Sequence, residues 1–260
     1  MPTYESDVCI IGGGLCSAML AEKLSDLRPG LAITVVEAGS SLFDFGNRLK
    51  YRQRVLDYGE SAWPGDVLED QAGAEGFCLT MAVGGQALRW GSAANRFSEE
   101  DLRLKSMYGL AVDWPLSWAE MEKAYCEAER RLNVCGEPSP FPGDKRSEPY
   151  PQPPMPLSYN LQTLRTWAEK SGIPFTIKPQ AKNHVSPTPD LDHPGGGCRM
   201  GTDPATSVCD SYGRTHDHEN LFVVGAPTTP TPGCTNGALA FVALTLRSAD
   251  RIAAEFARHT

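Results

Sequence analysis

Nowhere in these 260 residues is there an apolar run long enough to cross a bilayer, so no membrane insertion is expected. Basic charge is also scarce: 24 Lys and Arg stand against 32 Asp and Glu, giving a net charge of -8 and a pI near 5.2. Nucleic-acid binders concentrate Lys and Arg on one face, and no nucleic-acid partner is expected here. The opening residues, MPTYESD, have neither the basic start nor the apolar stretch of a signal peptide, which points to a cytoplasmic protein. The eight cysteines contain no CxxC pair and Cys9 falls within an expected buried strand, so they read as reduced thiols and not as a disulfide framework. His216 and His218 form an H-x-H pair, but Asp217 and Glu219 lie beside them and no further His or Cys clusters there. The pair reads as the cap of a solvent turn, and no metal is expected.

What is present is ordinary globular material, 41% apolar and 22% charged, enough for one large core or for a cofactor domain with a modest second lobe. Residues 7–37 alternate as strand, turn, helix and strand: DVCII, a glycine turn, Leu20, Leu24 and Leu27 at helical spacing, a stop at Pro29-Gly30, then AITVVE. A turn of Gly12-Gly13-Gly14 between strand and helix is the context that a dinucleotide fingerprint requires. Gly12 permits the tight turn, and Gly14 lets a pyrophosphate reach the helix N-terminus at Leu15, where free N–H groups favour an anion. Ser17 stands where the fingerprint has its third glycine and is small enough to serve. Glu37, followed by Ala38, ends the second strand where a carboxylate can accept hydrogen bonds from an adenosine ribose.

Farther along, Gly84-Gly85 would let backbone approach a ligand closely. WPLSWAEMEKAYCEAERRLNV predicts a helix entered through a capping box of Ser117 and Glu120. The proline-crowded residues 137–156 predict extended chain, LQTLRTWAEKSG a helix, IPFTIK a strand and THDHEN a polar turn. LFVVGA predicts a strand, PTTPTPGCTN a loop, and the residues from about Gly237 a long helix with Leu239, Val242, Leu246, Ala249 and Ala253 on one stripe.

Four blocks, in order, resemble the glucose–methanol–choline (GMC) oxidoreductases: VGGQALRW, DWPLSWAEMEKAYCEAE, HPGGGCRMGTDPATSVCD and NLFVVGAPTTPTPGCTNGALAFVALTLRSADRI. The resemblance implies an α/β fold, a Rossmann-like FAD-binding domain of the glutathione-reductase type with a reduced substrate or cap lobe. On that reading residues 1–110 and 190–260 bind FAD and residues 111–189 form the substrate segment. It implies His193 as the catalytic base and Asn236 as the group that orients the substrate oxygen in the oxidation of an alcohol or sugar-like CH–OH group. It places Gly84, Gly85 and Trp90 against the flavin, Gly225 and Ala226 near its ribityl and phosphate portion, and Thr235 and Gly237 at the start of the last helix. Arg89 occupies the position where some relatives have a histidine that bonds covalently to flavin, so FAD is expected to be noncovalent.

Family members are usually about twice as long, and here the region between Asn183 and Asp192 leaps over most of the usual substrate-domain sheet. The unpaired strands this implies must be covered, by IPFTIK moved into the gap, by a second copy or by a partner subunit completing the sheet. Two alternatives stay open: a noncatalytic or heteromeric subunit that keeps the fold, and an FAD-bound lyase or isomerase that uses His193 without redox chemistry.

Overall fold

A short apolar run, a glycine turn and a leucine-rich stretch become β1 (Val8–Ile11), α1 (Leu15–Leu27) and β2 (Ile33–Val36) in the computed structural model. The structure describes residues 3–39, 41, 65–68, 77–80, 82–88, 90–139, 144–181, 195–231 and 233–257. β1 and β2 pair in parallel, Val8 opposite Ile33 and Ile11 opposite Val36, which makes the stretch a βαβ unit. α1 ends just before Pro29 and Gly30, whose φ of +105° suits a glycine. Its Leu20 and Leu24 are buried, and Leu27 at the frayed end is 43% exposed.

The expectation that Cys9 lies in a fully buried strand does not hold. Ile10 is buried, whereas Cys9 is exposed and Ile11 is 86% exposed. Successive side chains of a strand point to opposite faces, so this alternation shows a strand covered on one face. Val35 and Val36 on β2 are also exposed. A second pair, β3 (Gly65–Leu68) and β4 (Phe77–Thr80), is antiparallel. These elements, lying within residues 3–90, form one compact unit together with residues 252–257.

Residues 91–181 and 195–251 make up the other unit. It holds α2 (Leu104–Tyr108), α3 (Trp118–Arg131), α4 (Tyr159–Lys170), most of α5 (Ala238–Phe256), and a two-residue ladder of β5 (Val134–Cys135) with β6 (Gln180–Ala181). α3 starts at the predicted capping box: the Glu120 N–H donates to Ser117 Oγ at 3.3 Å, and the Ser117 N–H returns to Glu120 Oε2 at 2.8 Å. Its Met121, Ala124, Tyr125 and Ala128 are buried, as is the predicted stripe of α5. Phe97 and Trp114 meet edge to face, their ring centroids 6.0 Å apart.

A buried ion cluster ties the long segment around Arg96 to α3. Arg96 Nε and Nη2 donate to the two oxygens of Glu129 at 2.8 and 3.0 Å, Nη1 donates to Glu122 and to the Lys145 carbonyl, and Nη2 also reaches Cys126 Sγ. Arg146 adds two more bonds to Glu129, each 3.1 Å. Burial works against the charge on Arg96, but the bonds and attraction to Glu129 outweigh it and raise its pKa. For Glu122, burial would raise the carboxyl, yet the donors Ser147, Cys126 and Arg96 hold it down at about 2.

Two predicted strands are absent. IPFTIK is extended but unpaired: Pro174 has no N–H to give, the Ile177 N–H is taken by Glu137 Oε1 at 2.8 Å, and pairing begins only at Gln180. LFVVGA shows one bridge, Phe222 to Arg214, because Gly213 packs onto the Val223 carbonyl and the chain then turns at Ala226–Thr228.

Replacing Glu129 by alanine strands the Arg96 charge and should lower stability by roughly 3–5 kcal/mol, against about 1 kcal/mol for Ser117→Ala, both read from urea midpoints. Because the Glu122 carboxyl sits below its ordinary 4.5, its stabilisation is complete above that pH and is lost as pH falls toward 2. Glu122→Gln should flatten that limb of the acid-unfolding curve.

Candidate active site

The glycine turn of the first unit is built from backbone. Gly12, at φ +92°, donates its N–H to the Val36 carbonyl at 2.7 Å and so turns the chain off the end of β1. The Gly13 N–H donates to Glu37 Oε2 at 2.5 Å, and the Gly39 N–H donates to Oε1 at 2.7 Å. A Cβ on Gly13 would stand 3.1 Å from that carboxylate. Gly14 caps α1 without contributing a side-chain acceptor, and a Cβ built on it would meet nothing within 4 Å. The first turn of α1, beginning at half-buried Leu15, thus presents N–H groups beside open space, which suits an anion. Ser17 is buried in that turn, as a small replacement for the third glycine must be.

Gly84 and Gly85 join the same cradle. The Gly84 N–H donates to the Gly13 carbonyl at 2.8 Å, Gly14 and Gly84 form a parallel bridge, and a Cβ on Gly85 would lie 3.3 Å from the Gly14 Cα. Both are at positive φ, +109° and +53°. A 3-10 turn, Gly85–Leu88, leads on to half-buried Trp90. The sequence-predicted residues Gly12, Gly14, Leu15, Glu37, Gly84 and Gly85 are therefore assembled together, and Ala38 is exposed next to them. Arg89 lies outside the described residues.

In the second unit the glycine-rich signature is laced to the turn that follows Gly225. The N–H groups of Gly196, Cys198 and Met200 donate to the carbonyls of Ala226, Pro227 and Thr228 at 3.1, 2.9 and 2.8 Å. A Cβ on Gly195 would stand 2.9 Å from Thr229 Oγ1, and one on Gly196 3.2 Å from the Thr229 carbonyl, so only glycine allows this approach. Gly225 adopts φ +83° and ψ -152°, a region essentially restricted to glycine. His193 itself lies outside the described residues, two positions before this segment.

His216 does something other than cap a solvent turn: its Nε2 lies 2.9 Å from Ser207 Oγ, which donates to the Asp203 carbonyl and braces the loop after the signature. His218 belongs to the turn, its N–H and carbonyl both bonded to Thr215 Oγ1. No group of three potential metal ligands occurs among the described residues. The seven cysteines with described side chains are all free.

Thr235 and Asn236 are half-buried and Gly237 is buried, directly ahead of α5. The Gly237 carbonyl accepts the Phe241 N–H at 2.9 Å, and a Cβ on Gly237 would strike the Phe241 ring at 2.4 Å. Nothing in the sequence reading singled out Asp101, whose buried carboxylate reaches this loop at Cys234. The pattern S-x-x-D at Ser98 and Asp101 was a usable signal, since it is a capping-box spacing.

Known proteins resemble this chain in fold and, over part of its length, in sequence. The fold resembles that of pyridoxine 4-oxidase from Mesorbium loti, with a TM-score of 0.54 at 13% identity over 95% of this chain and 99% of the other. Residues 138–245 match the family described as GMC oxidoreductase. The chain is 28% identical over 204 residues to the fructose dehydrogenase large subunit of Gluconobacter japonicus, covering 70% of this chain and 37% of that one. It is 32% identical over 181 residues to the 6'''-hydroxyparomomycin C oxidase of Streptomyces lividus, covering 65% and 30% respectively. The match to the GMC oxidoreductase family thus lies within residues 138–245, and both relatives resemble this chain over part of their length. The chain spans about a third of the length of these curated relatives.

Gly213 is a direct test of the packing that leads into Gly225. A Cβ there would lie 2.2 Å from the Val223 carbonyl, at a φ of +82°. Gly213→Ala should lower stability by more than about 2 kcal/mol, measured by chemical denaturation, whereas Gly197→Ala, facing open space, should be close to neutral.

Proposed function

We propose that this chain is an FAD-dependent oxidoreductase that oxidises a CH–OH group of an alcohol or sugar-like substrate. The observation that carries the reading is the lacing of Gly196, Cys198 and Met200 to Ala226–Thr228. It makes one piece of structure from the signature that follows His193 and the turn that begins at Gly225. Similarity to relatives named as a dehydrogenase and oxidases supports the same reading.

The cradle fits the cofactor. With Gly12 making the turn, N–H groups at Gly14 and Leu15 would hold the diphosphate, Glu37 and Ala38 the adenosine ribose, and Gly84, Gly85 and Trp90 the flavin side. Gly225, Ala226, Thr235 and Gly237 would take the remainder, and residues 1–110 with 190–260 would make up the cofactor domain. FAD, when bound noncovalently, supplies the acceptor for the hydride that leaves the substrate carbon. His193 accepts the hydroxyl proton on its imidazole, and Asn236 orients the substrate oxygen so that proton and hydride leave together. Glu37 engages two backbone N–H groups, and each of its oxygens keeps a further lone pair that can accept a hydrogen bond.

A partner completing the site is favoured by a second observation. α4 has no buried residue, and Leu161, Leu164 and Trp167 on it are exposed, Trp167 to 63%. Twelve residues make a marginal helix without tertiary support. The chain covers about a third of its curated relatives, one of them named as a large subunit, so the occupant we assign to this face is a second polypeptide carrying substrate-domain surface. Sedimentation should show an assembly that Leu164→Asp disperses; a fully active monomer would remove the idea.

The purified chain titrated with FAD should take on a flavin absorption spectrum, and anaerobic addition of a suitable alcohol should bleach it. His193→Ala should bind FAD as well as the parent but lose turnover by about 100-fold or more. A chain that takes up no FAD sinks the enzyme reading, and turnover with flavin oxidised throughout would favour the nonredox alternative.

A further inference from the structure

The loop from Thr229 to Gly237, which presents Asn236, has no regular structure in its described residues and is fastened at three places by residues 97–114. Trp114 Nε1 donates to Thr231 Oγ1 at 2.8 Å in a buried contact. Gly233, at φ +69°, lies so near the Phe97 ring that a Cβ would stand 2.6 Å from its carbons. Nearest to Asn236, Cys234 Sγ donates to Asp101 Oδ2 at 3.1 Å.

That carboxylate is set by its own turn. Asp101 Oδ2 also accepts the Ser98 N–H at 2.7 Å and the Ser98 hydroxyl at 2.9 Å, and the Asp101 N–H returns to Ser98 Oγ at 3.3 Å. Asp101 is 6% exposed, and Phe97, Leu102 and Trp114 of the same segment are buried. Burial and the bond to Asp101 push the Cys234 thiol up to about 11, so at neutral pH it keeps its proton and stays a donor. A loop group two residues from such an anchor is held in register, and catalytic geometry is sensitive to displacements near 1 Å.

We propose that Asp101 is a positioning residue for Asn236, acting through the Cys234 thiol to hold the loop ahead of α5 in its working register. This rests on the reading of Asn236 as the group that orients substrate oxygen. Cys234 is the place to test it, because substituting Asp101 would also dismantle the Ser98 turn.

The full chain is compared with Cys234→Ala, which removes the donor, and Cys234→Ser, which supplies a hydroxyl donor to the same carboxylate. Hydrogen–deuterium exchange of the amides in residues 233–237 should accelerate about tenfold or more in Cys234→Ala with the rest of the unit unchanged, and Cys234→Ser should restore slow exchange. In the FAD-loaded protein, kcat for the alcohol that bleaches the flavin should fall about tenfold in Cys234→Ala, with FAD affinity within about twofold of the parent. Unchanged exchange in Cys234→Ala, acceleration spread over the whole unit, or failure of serine to restore it overturns the proposal. A parent chain that binds no FAD defeats the oxidoreductase reading instead, while the exchange result still decides the anchor.

Discussion

The paired bonds between Arg96 and Glu129 are the constraint on which the second unit depends. Glu129 accepts four guanidinium N–H groups, two from Arg96 and two from Arg146, in a place from which water is excluded. The adjoining residue, Phe97, gives its N–H to Tyr125 on α3, and the Ala94 N–H, two residues before Arg96, meets the Pro179 carbonyl. Segment 92–102 is thereby pinned to a helix and to a neighbouring strand, and it is this segment that holds the loop before α5. Buried charge is expensive when unpaired, so such a cluster enforces one arrangement over its competitors more than it adds net stability.

Glycine does a different job in each of the two units. At Gly12, Gly84 and Gly85 it supplies backbone conformations and close approach for a turn that leaves N–H groups facing open space. At Gly195 and Gly196 the missing side chain lets one stretch of backbone lie directly on another, with Thr229 where a Cβ would be. The first use leaves open space beside backbone N–H groups, and the second removes room to lock a loop. The same residue type in two dense clusters therefore marks two kinds of constraint.

Elements whose cause is local were legible in the sequence. α1 runs from the glycine turn to its Pro-Gly stop, α3 begins at its capping box, and the stripe of α5 is buried as its spacing required. Elements that need a partner strand were not: IPFTIK and LFVVGA have strand composition, but the Glu137 side chain takes the Ile177 N–H, and LFVVGA pairs only briefly with residues 213–215 before it turns. Burial of Cys9 was misjudged for a related reason, since a run of apolar residues does not say whether both faces of a sheet are covered. At the site, the residues of the glycine cradle and Glu37 were readable because their chemistry is backbone chemistry at fixed spacing. Asp101 was not, because its importance arises from Cys234, which lies 133 positions away in the chain.

Glu37 carries a consequence beyond recognition. By holding the N–H groups of Gly13 and Gly39, its carboxylate orders the turn during folding, when the conformational entropy of three glycines is lost along with that of the rest of the chain. A ligand arriving later meets a turn already shaped and loses little further entropy in closing it. For a ligand held at this turn, folding and binding would be linked through one side chain, and weakening it would transfer an ordering cost from the first event to the second.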